Sequence, residues 1–140
     1  MPQQQAFPDL EPIIVAHQLE LVPTVWSCLE LPPTTEFNSR LPVAQYSRVP
    51  AGGAARGTWA HGFLLDKATI DVDVYAGSRE TANAAARLLR TSLLGLAGTV
   101  RDGAGFVSAA ETTGPGWRPE ASQDITRIGW LVSLTVRPMP

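Results

Sequence analysis

The chain has 140 residues, which suits one domain with a modest core. Charged residues make up 17% of it and the net charge is −2, against a charged fraction of about 25% in a typical soluble domain. These values exclude a nucleic-acid-binding protein of the usual basic kind, and they predict that neighbouring proteins cover part of the surface. No apolar run reaches the roughly 20 residues that a membrane span needs, and the single cysteine, Cys28, allows no internal disulfide.

The N-terminal third of the chain predicts a helix followed by two strands. Residues 1–8 are polar and contain proline, and we expect them to be flexible. Asp9 can cap a helix that extends to about Leu21, and Pro23 ends it. The segments that follow are a short strand, a turn-rich connector and a second strand, predicted over residues 24–29, 31–42 and 42–49.

Residues 65–75 carry the clearest strand signal in the chain. Their alternation is typical of a sheet with one buried face. Ser78 can then cap a helix that ends near Leu96 and whose apolar residues fall at steps of three and four. In the strand, Ala68, Ile70, Val72, Val74 and Ala76 share one face, whereas Thr69, Asp71, Asp73 and Tyr75 share the other.

The last part of the chain predicts two more strands, separated by a turn-rich loop at residues 112–124. One strand lies around residues 105–110 and the other spans residues 125–137. Helices on one face of an antiparallel sheet are the simplest assembly of this order of elements. We therefore predict a single α+β domain over residues 1–140, with two layers: a mostly antiparallel sheet of about four main strands and two helices packed on one face.

Asp71 and Asp73 are the first candidates for chemistry. Their side chains point to the same side of the strand, about 7 Å apart at the backbone, which would suit a metal site or an acid–base pair. A metal site needs further oxygen or nitrogen ligands, and the residues expected nearby, Thr69, Tyr75 and Arg137, are not a ligand set. We favour the alternative, a polar sheet face that is solvated or paired with arginines of a neighbouring chain.

The histidines and the cysteine form no catalytic pattern. His17 lies in an apolar helix, and we expect it to be a partly buried structural residue. Cys28 lies between Trp26 and Leu29, and we expect its thiol to be inert and packed in the core. Residues 50–62 form a Gly-rich loop that holds Trp59 and His61 without a nearby acid or nucleophile. The AGGAARG stretch of this loop lacks the Lys-Ser/Thr ending of a phosphate-binding loop.

Two loops present aromatic and basic residues as candidate contacts. GPGWRPE, residues 114–120, holds Trp117 and Arg118 among prolines and glycines. This tryptophan either folds back onto its own domain or anchors an interface, where Trp and Arg are enriched. Trp59 in the earlier Gly-rich loop presents the same alternatives, and Arg56 can meet a phosphate or the carboxylates of a partner.

Several of these stretches together resemble a known family. The strand and helix start IDVDVYAGSRETA, the loop GPGWRPE and a final strand ending in TVRP are similar to the tail terminator (tail completion) proteins of long-tailed bacteriophages, especially those of actinobacterial hosts. The N-terminal helix and the segment LPPTTEFNSRLPVAQYSRV fit the same layout. The resemblance covers most of the chain and includes no catalytic motif.

The resemblance implies a virion protein of the tail or neck, assembled in the host cytoplasm, that is not an enzyme and uses no cofactor or metal. Such proteins form rings, usually hexameric, that cap the tail tube and end its polymerisation. The implied partners are further copies of this chain, the tail tube protein and the head–tail connector or stopper protein. DNA only passes through the channel, and no membrane is involved.

We expect the contacts of such a ring to involve the loops and the acidic strand face. Two alternatives stay open: another neck or minor tail protein of the same small fold, and a small-molecule-binding or enzymatic α+β domain that uses the Gly-rich loop. The candidate contact residues are Arg56, Trp59, His61, Asp71, Asp73, Trp117 and Arg118.

Overall fold

Six strands and three helices make up the computed structural model, which describes residues 6–56 and 64–139. The strands form one sheet in the order β1-β2-β3-β6-β5-β4, curved like half of a barrel. β1 runs parallel to β2, and every other pair of neighbours is antiparallel. The elements are α1 (Leu10–Leu21), β1 (Trp26–Cys28), α2 (Thr34–Arg40), β2 (Val43–Arg56), β3 (Leu64–Ala76), α3 (Arg79–Leu94), β4 (Val100–Arg101), β5 (Ala104–Arg118) and β6 (Thr126–Pro138).

The core lies between the central strands of the sheet and helices α1 and α3, which also contact each other. β3 and β6 pair without a register shift from Asp66 opposite Val136 to Ala76 opposite Thr126. Alternate side chains therefore turn to the helices along both strands. The buried residues on this face are Ala68, Ile70, Val72, Val74 and Ala76 of β3, and Ile128, Trp130, Val132, Leu134 and Val136 of β6.

Helix α3 confirms the prediction made from its cap and its apolar stripe. The backbone N–H of Thr81 donates to the Ser78 hydroxyl at 3.2 Å, which satisfies one of the N–H groups left free at a helix start. The stripe at steps of three and four faces the sheet. Its buried residues are Ala82, Ala85, Ala86, Leu89, Ser92 and Leu93.

Buried polar side chains connect α1 to its surroundings. His17 Nε2 donates to the carbonyl oxygen of Ser92 at 2.9 Å, and Gln18 donates to the Tyr46 hydroxyl at 3.0 Å and to the Leu89 carbonyl at 3.2 Å. Burial raises the pKa of Tyr46 to about 12, so its hydroxyl keeps its proton. The sequence predicted a partly buried structural residue at His17, and the structure buries it more completely, at 3% exposure.

The predicted fold of about four strands and two helices on one face is wrong. Over the described residues the sheet has six strands with one parallel pair, and the additional helix α2 lies on the face opposite α1 and α3. The Phe37 ring of α2 contacts Tyr75, whose ring centroid is 5.7 Å away. α2 contains no buried residue, so its sequence shows no apolar stripe. Without that stripe, its polar residues and the prolines on either side of it indicate a turn-rich connector.

Two predicted loops are in part strands. β2 continues past Val49 through a bulge to Arg56. At this bulge Gly52 has a φ of +74°, and a side chain at this position would clash with the Lys67 carbonyl oxygen. The glycine therefore allows the sheet to continue. β5 extends to Arg118, and register shifts between Glu111 and Gly116 accommodate a Gly-Pro pair that indicates a turn when the sequence is read alone.

Leu89 and Leu88 provide a matched test of the core. Leu89 is fully buried, whereas its neighbour Leu88 is 54% exposed. Leu89→Ala should lower the free energy of unfolding by about 2–5 kcal/mol because it leaves a cavity, and Leu88→Ala should change it by less than about 0.5 kcal/mol. Urea unfolding followed by circular dichroism measures both. Equal losses would contradict this assignment of the buried stripe.

His17 makes the stability of the fold depend on pH. Burial lowers its pKa from the usual value of 6.5, the Ser92 hydrogen bond opposes this, and Arg101 lowers it further. Because the folded state prefers the neutral ring, neutral His17 contributes to the free energy of unfolding. This contribution is complete above the unfolded-state pKa and is lost as pH falls from about 6.5 through the folded-state pKa. The free energy of unfolding should fall over that range, and His17→Gln should flatten that part of the profile. An unchanged profile in the variant would assign the effect to other groups.

Candidate functional site

Four charged side chains form an ion cluster on the sheet face opposite α1 and α3. Arg118 Nη1 donates to Asp71 Oδ1 and to Asp73 Oδ1, each at 2.7 Å. Arg127 holds Asp73 with two hydrogen bonds, Nε to Oδ1 at 3.0 Å and Nη2 to Oδ2 at 2.9 Å. The two carboxylates thus share a face as the alternation predicts, and their partners are arginines of the same chain.

A glycine makes room for this ion cluster. Gly129 of β6 is the register partner of Asp73, and a side chain at position 129 would overlap the guanidinium of Arg118. Arg118 comes from the end of β5, where it lies opposite Arg127. The ion cluster therefore joins three strands, β3, β5 and β6, beside the connection from β5 to β6.

The charges of the ion cluster balance within the chain. Asp73 is 7% exposed, and a carboxylate this buried needs its charge-assisted hydrogen bonds. The hydrogen bonds to Asp73 are the main reason that the pKa of Arg127 is raised. Arg127 also lies 5.4 Å from the ring centroid of Tyr75. Both aspartates already accept hydrogen bonds from guanidinium groups. This arrangement stabilises the sheet and leaves no open pair of carboxylates for acid–base chemistry.

A groove lies beside the ion cluster, between α2 and residues 120–125. Its volume is about 490 Å³. The lining is mostly apolar and contains one carboxylate, Glu120, together with the phenol of Tyr75. Among the described residues, no three His, Cys, Asp or Glu side chains are grouped as a metal site would require. The rest of the groove lining consists of Leu31, Pro32, Thr34, Phe37, Asn38, Ser122 and Ile125.

The other residues named from the sequence have different positions. Trp117 is 44% exposed, and the guanidinium of Arg79 covers its ring at 4.7 Å from the centroid. Arg56 is exposed at the end of β2, opposite Leu64. Trp59 and His61 lie outside the described residues. The structure therefore brings together three of the seven candidates, Asp71, Asp73 and Arg118.

Exposed apolar side chains at two other places were not identified from the sequence. Trp26 is 41% exposed, with the Arg40 guanidinium 4.0 Å from its ring centroid. Leu88 and Leu94 project from α3 and are 54% and 39% exposed. Both leucines lie outside the apolar stripe of the helix, and this was a signal in the sequence that the core explanation did not use.

Cys28 is a partly buried thiol beside the first of these places. Its Sγ lies 3.5 Å from the carbonyl oxygen of Ala44, and burial raises its pKa to about 11. The thiol is therefore protonated at neutral pH and is a poor nucleophile, as predicted, but it is only partly buried and not part of the core where the sequence placed it.

Comparison with known proteins finds similarity in fold. No protein-family model and no curated protein matches the sequence of this chain. The fold is similar to that of a chain from the virion of a native gene transfer agent (GTA) particle. The TM-score is 0.61 at 17% sequence identity, and the alignment covers 91% of this chain and 94% of the other. At this identity the comparison shows a shared fold.

None of the described helices is both long and apolar enough to cross a membrane.

The contact between Arg118 and Gly129 can be tested with two glycine substitutions. Gly129→Ala should displace the guanidinium from both aspartates and lower the free energy of unfolding by about 1–3 kcal/mol. Gly116→Ala is the control, because Gly116 pairs with Gly129 on the next strand and an added side chain meets nothing within 4 Å there. Urea unfolding compares the two variants. A loss in Gly116→Ala as large as in Gly129→Ala would show that the contact with the Arg118 guanidinium is not the cause.

Proposed function

We propose that this chain is a structural protein of a phage-type virion and acts as a tail terminator, a ring subunit that caps the tail tube. The observation that carries the proposal is the fold shared with a chain of a GTA virion over nine-tenths of both chains. An alignment that is nearly complete in both directions indicates that the domains match as whole units. The proposed partners are further copies of the chain, the tail tube protein and the head–tail connector or stopper protein.

The surface chemistry supports an assembly role. Eleven large apolar side chains among the described residues are at least 36% exposed, including Trp26 and Trp117. Single exposed apolar residues are ordinary in a monomer, but tryptophans beside arginines are typical of interface anchors. The low charged fraction of 17% suits a subunit with neighbours in its ring and further proteins above and below.

The charge balance also suits a channel through which DNA passes. The net charge of −2 and the pairing of Arg118 and Arg127 within the chain leave few free cations to bind phosphate. A strongly basic lumen would retain the DNA through counterion release, whereas a conduit has to let it move.

Determination of the mass of the purified 140-residue chain tests this proposal. A closed ring requires a head-to-tail contact repeated around an axis, and six copies of a 15.0 kDa chain correspond to about 90 kDa. We expect annular particles in negative-stain images and a mass of this size in light scattering. In the parent virus, loss of the protein should give tail tubes of abnormal length.

Other results would support different functions. Rings accompanied by tails of normal length would favour another neck or minor tail protein of the same fold. A monomer at all concentrations that binds a metabolite would contradict an assembly role and favour the small-molecule-binding alternative.

A further inference from the structure

The two edges of the sheet carry different surfaces on opposite sides of the subunit. β1 forms one edge of the sheet, and β5 with the short β4 forms the other. Helix α3 lies over the β5 half, since it contacts β3, β6 and β5 and Arg90 forms an ion pair with Glu111 of β5 at 2.9 Å. Helix α1 contacts both α3 and β1, so it lies between the β1 edge and the side of α3 that faces β5.

The first surface, called the α3 surface, combines exposed leucines with a surplus of positive charge. Leu88 is 54% exposed and Leu94 39%, and shallow grooves run between them and the arginines. Arg90 is neutralised by Glu111, whereas Arg87 is exposed and forms no ion pair with a residue of the described ranges, 6–56 and 64–139. The surface consists of Arg87, Leu88, Arg90, Thr91, Leu94 and Glu111.

The second surface, called the β1 surface, combines exposed apolar residues with a surplus of negative charge. It surrounds a groove of about 480 Å³. Glu36 is within 3.9 Å of Arg40, which also covers the ring of Trp26. Glu30 is exposed, and in the part of the chain that the structure describes it has no cationic partner. The surface consists of Trp26, Leu29, Glu30, Leu31, Glu36 and Arg40.

The outer strands are poorly suited to joining copies by strand addition. β2 pairs with β1 only from Val43 to Gln45, and farther along it has a bulge that contains Pro50. β5 has three register shifts and contains Pro115. Bulges and prolines interrupt the row of backbone groups that an added strand would need. Contacts between copies at these edges therefore depend on side chains.

We propose that the α3 surface of one copy binds the β1 surface of the next copy, with Arg87 facing Glu30 across the contact. The two surfaces carry opposite net charge, and each exposes leucines. They lie on opposite sides of the sheet. Such a contact is head-to-tail and can close into a ring. This pairing rests on the ring proposed above and names the surfaces that form it.

Charge reversal tests the pairing. Arg87→Glu places two glutamates in the contact and Glu30→Arg places two arginines there, so each variant alone should dissociate, with a dissociation constant at least about tenfold higher. The double variant Arg87→Glu/Glu30→Arg restores an attractive pair and should assemble. An equimolar mixture of the two single variants should also assemble, because a ring in which they alternate has an attractive pair at every contact.

The assembly of each variant is measured by light scattering over a range of concentrations, and circular dichroism checks that each one folds. Asp124→Arg is the control: Asp124 is an exposed residue between β5 and β6, outside both surfaces, and this variant should assemble like the parent chain. Assembly that is unchanged in both single variants, or that neither the double variant nor the mixture restores, overturns the pairing but leaves the ring in place. Loss of assembly in the control also overturns it. A parent chain that stays monomeric overturns both the pairing and the ring.

Discussion

The unshifted pairing of β3 with β6 is the constraint on which the rest of this structure depends. Side chains alternate between faces along a strand, so the register decides which residues meet the helices and which meet the opposite side. With Asp73 opposite Gly129, Val72 and Val74 are buried against the helices. A slip of one residue in β3 would bring two carboxylates into that core and expose the valines. The apolar core and the ion cluster are thus two results of one register.

The ion cluster explains how one face of the sheet can be polar while the chain has a low net charge. Two aspartates and two arginines neutralise one another within the chain, and the small size of Gly129 gives the Arg118 guanidinium its place. The end of β5 is thereby attached to the middle of the sheet. A firmly connected sheet can hold two edge surfaces at a constant distance and angle, and the proposed ring would require this because small angular errors add up around the axis.

The sequence was sufficient for features that depend on neighbouring residues in the chain. The alternation in residues 65–75 predicted the buried face of β3, and Ser78 with the stripe that follows predicted α3. It was insufficient where one element depends on another. α2 has no buried residue of its own. The parts of β2 and β5 that contain proline and glycine form strands because an adjacent strand supplies hydrogen bonds on both sides of their bulges. For these reasons the predicted sheet was too small and the number of helices too low.

The candidate site shows the same division. By itself the sequence determined that Asp71 and Asp73 share one face, that the chain has few charges and that Trp117 lies next to Arg118 among glycines and prolines. Only the tertiary structure decided that Arg118 and Arg127, 45 and 54 residues from Asp73, are the partners of these aspartates. The physical reason is that strand period and helix capping act over a few residues, whereas ion pairing and burial depend on which distant segments the folded sheet places side by side.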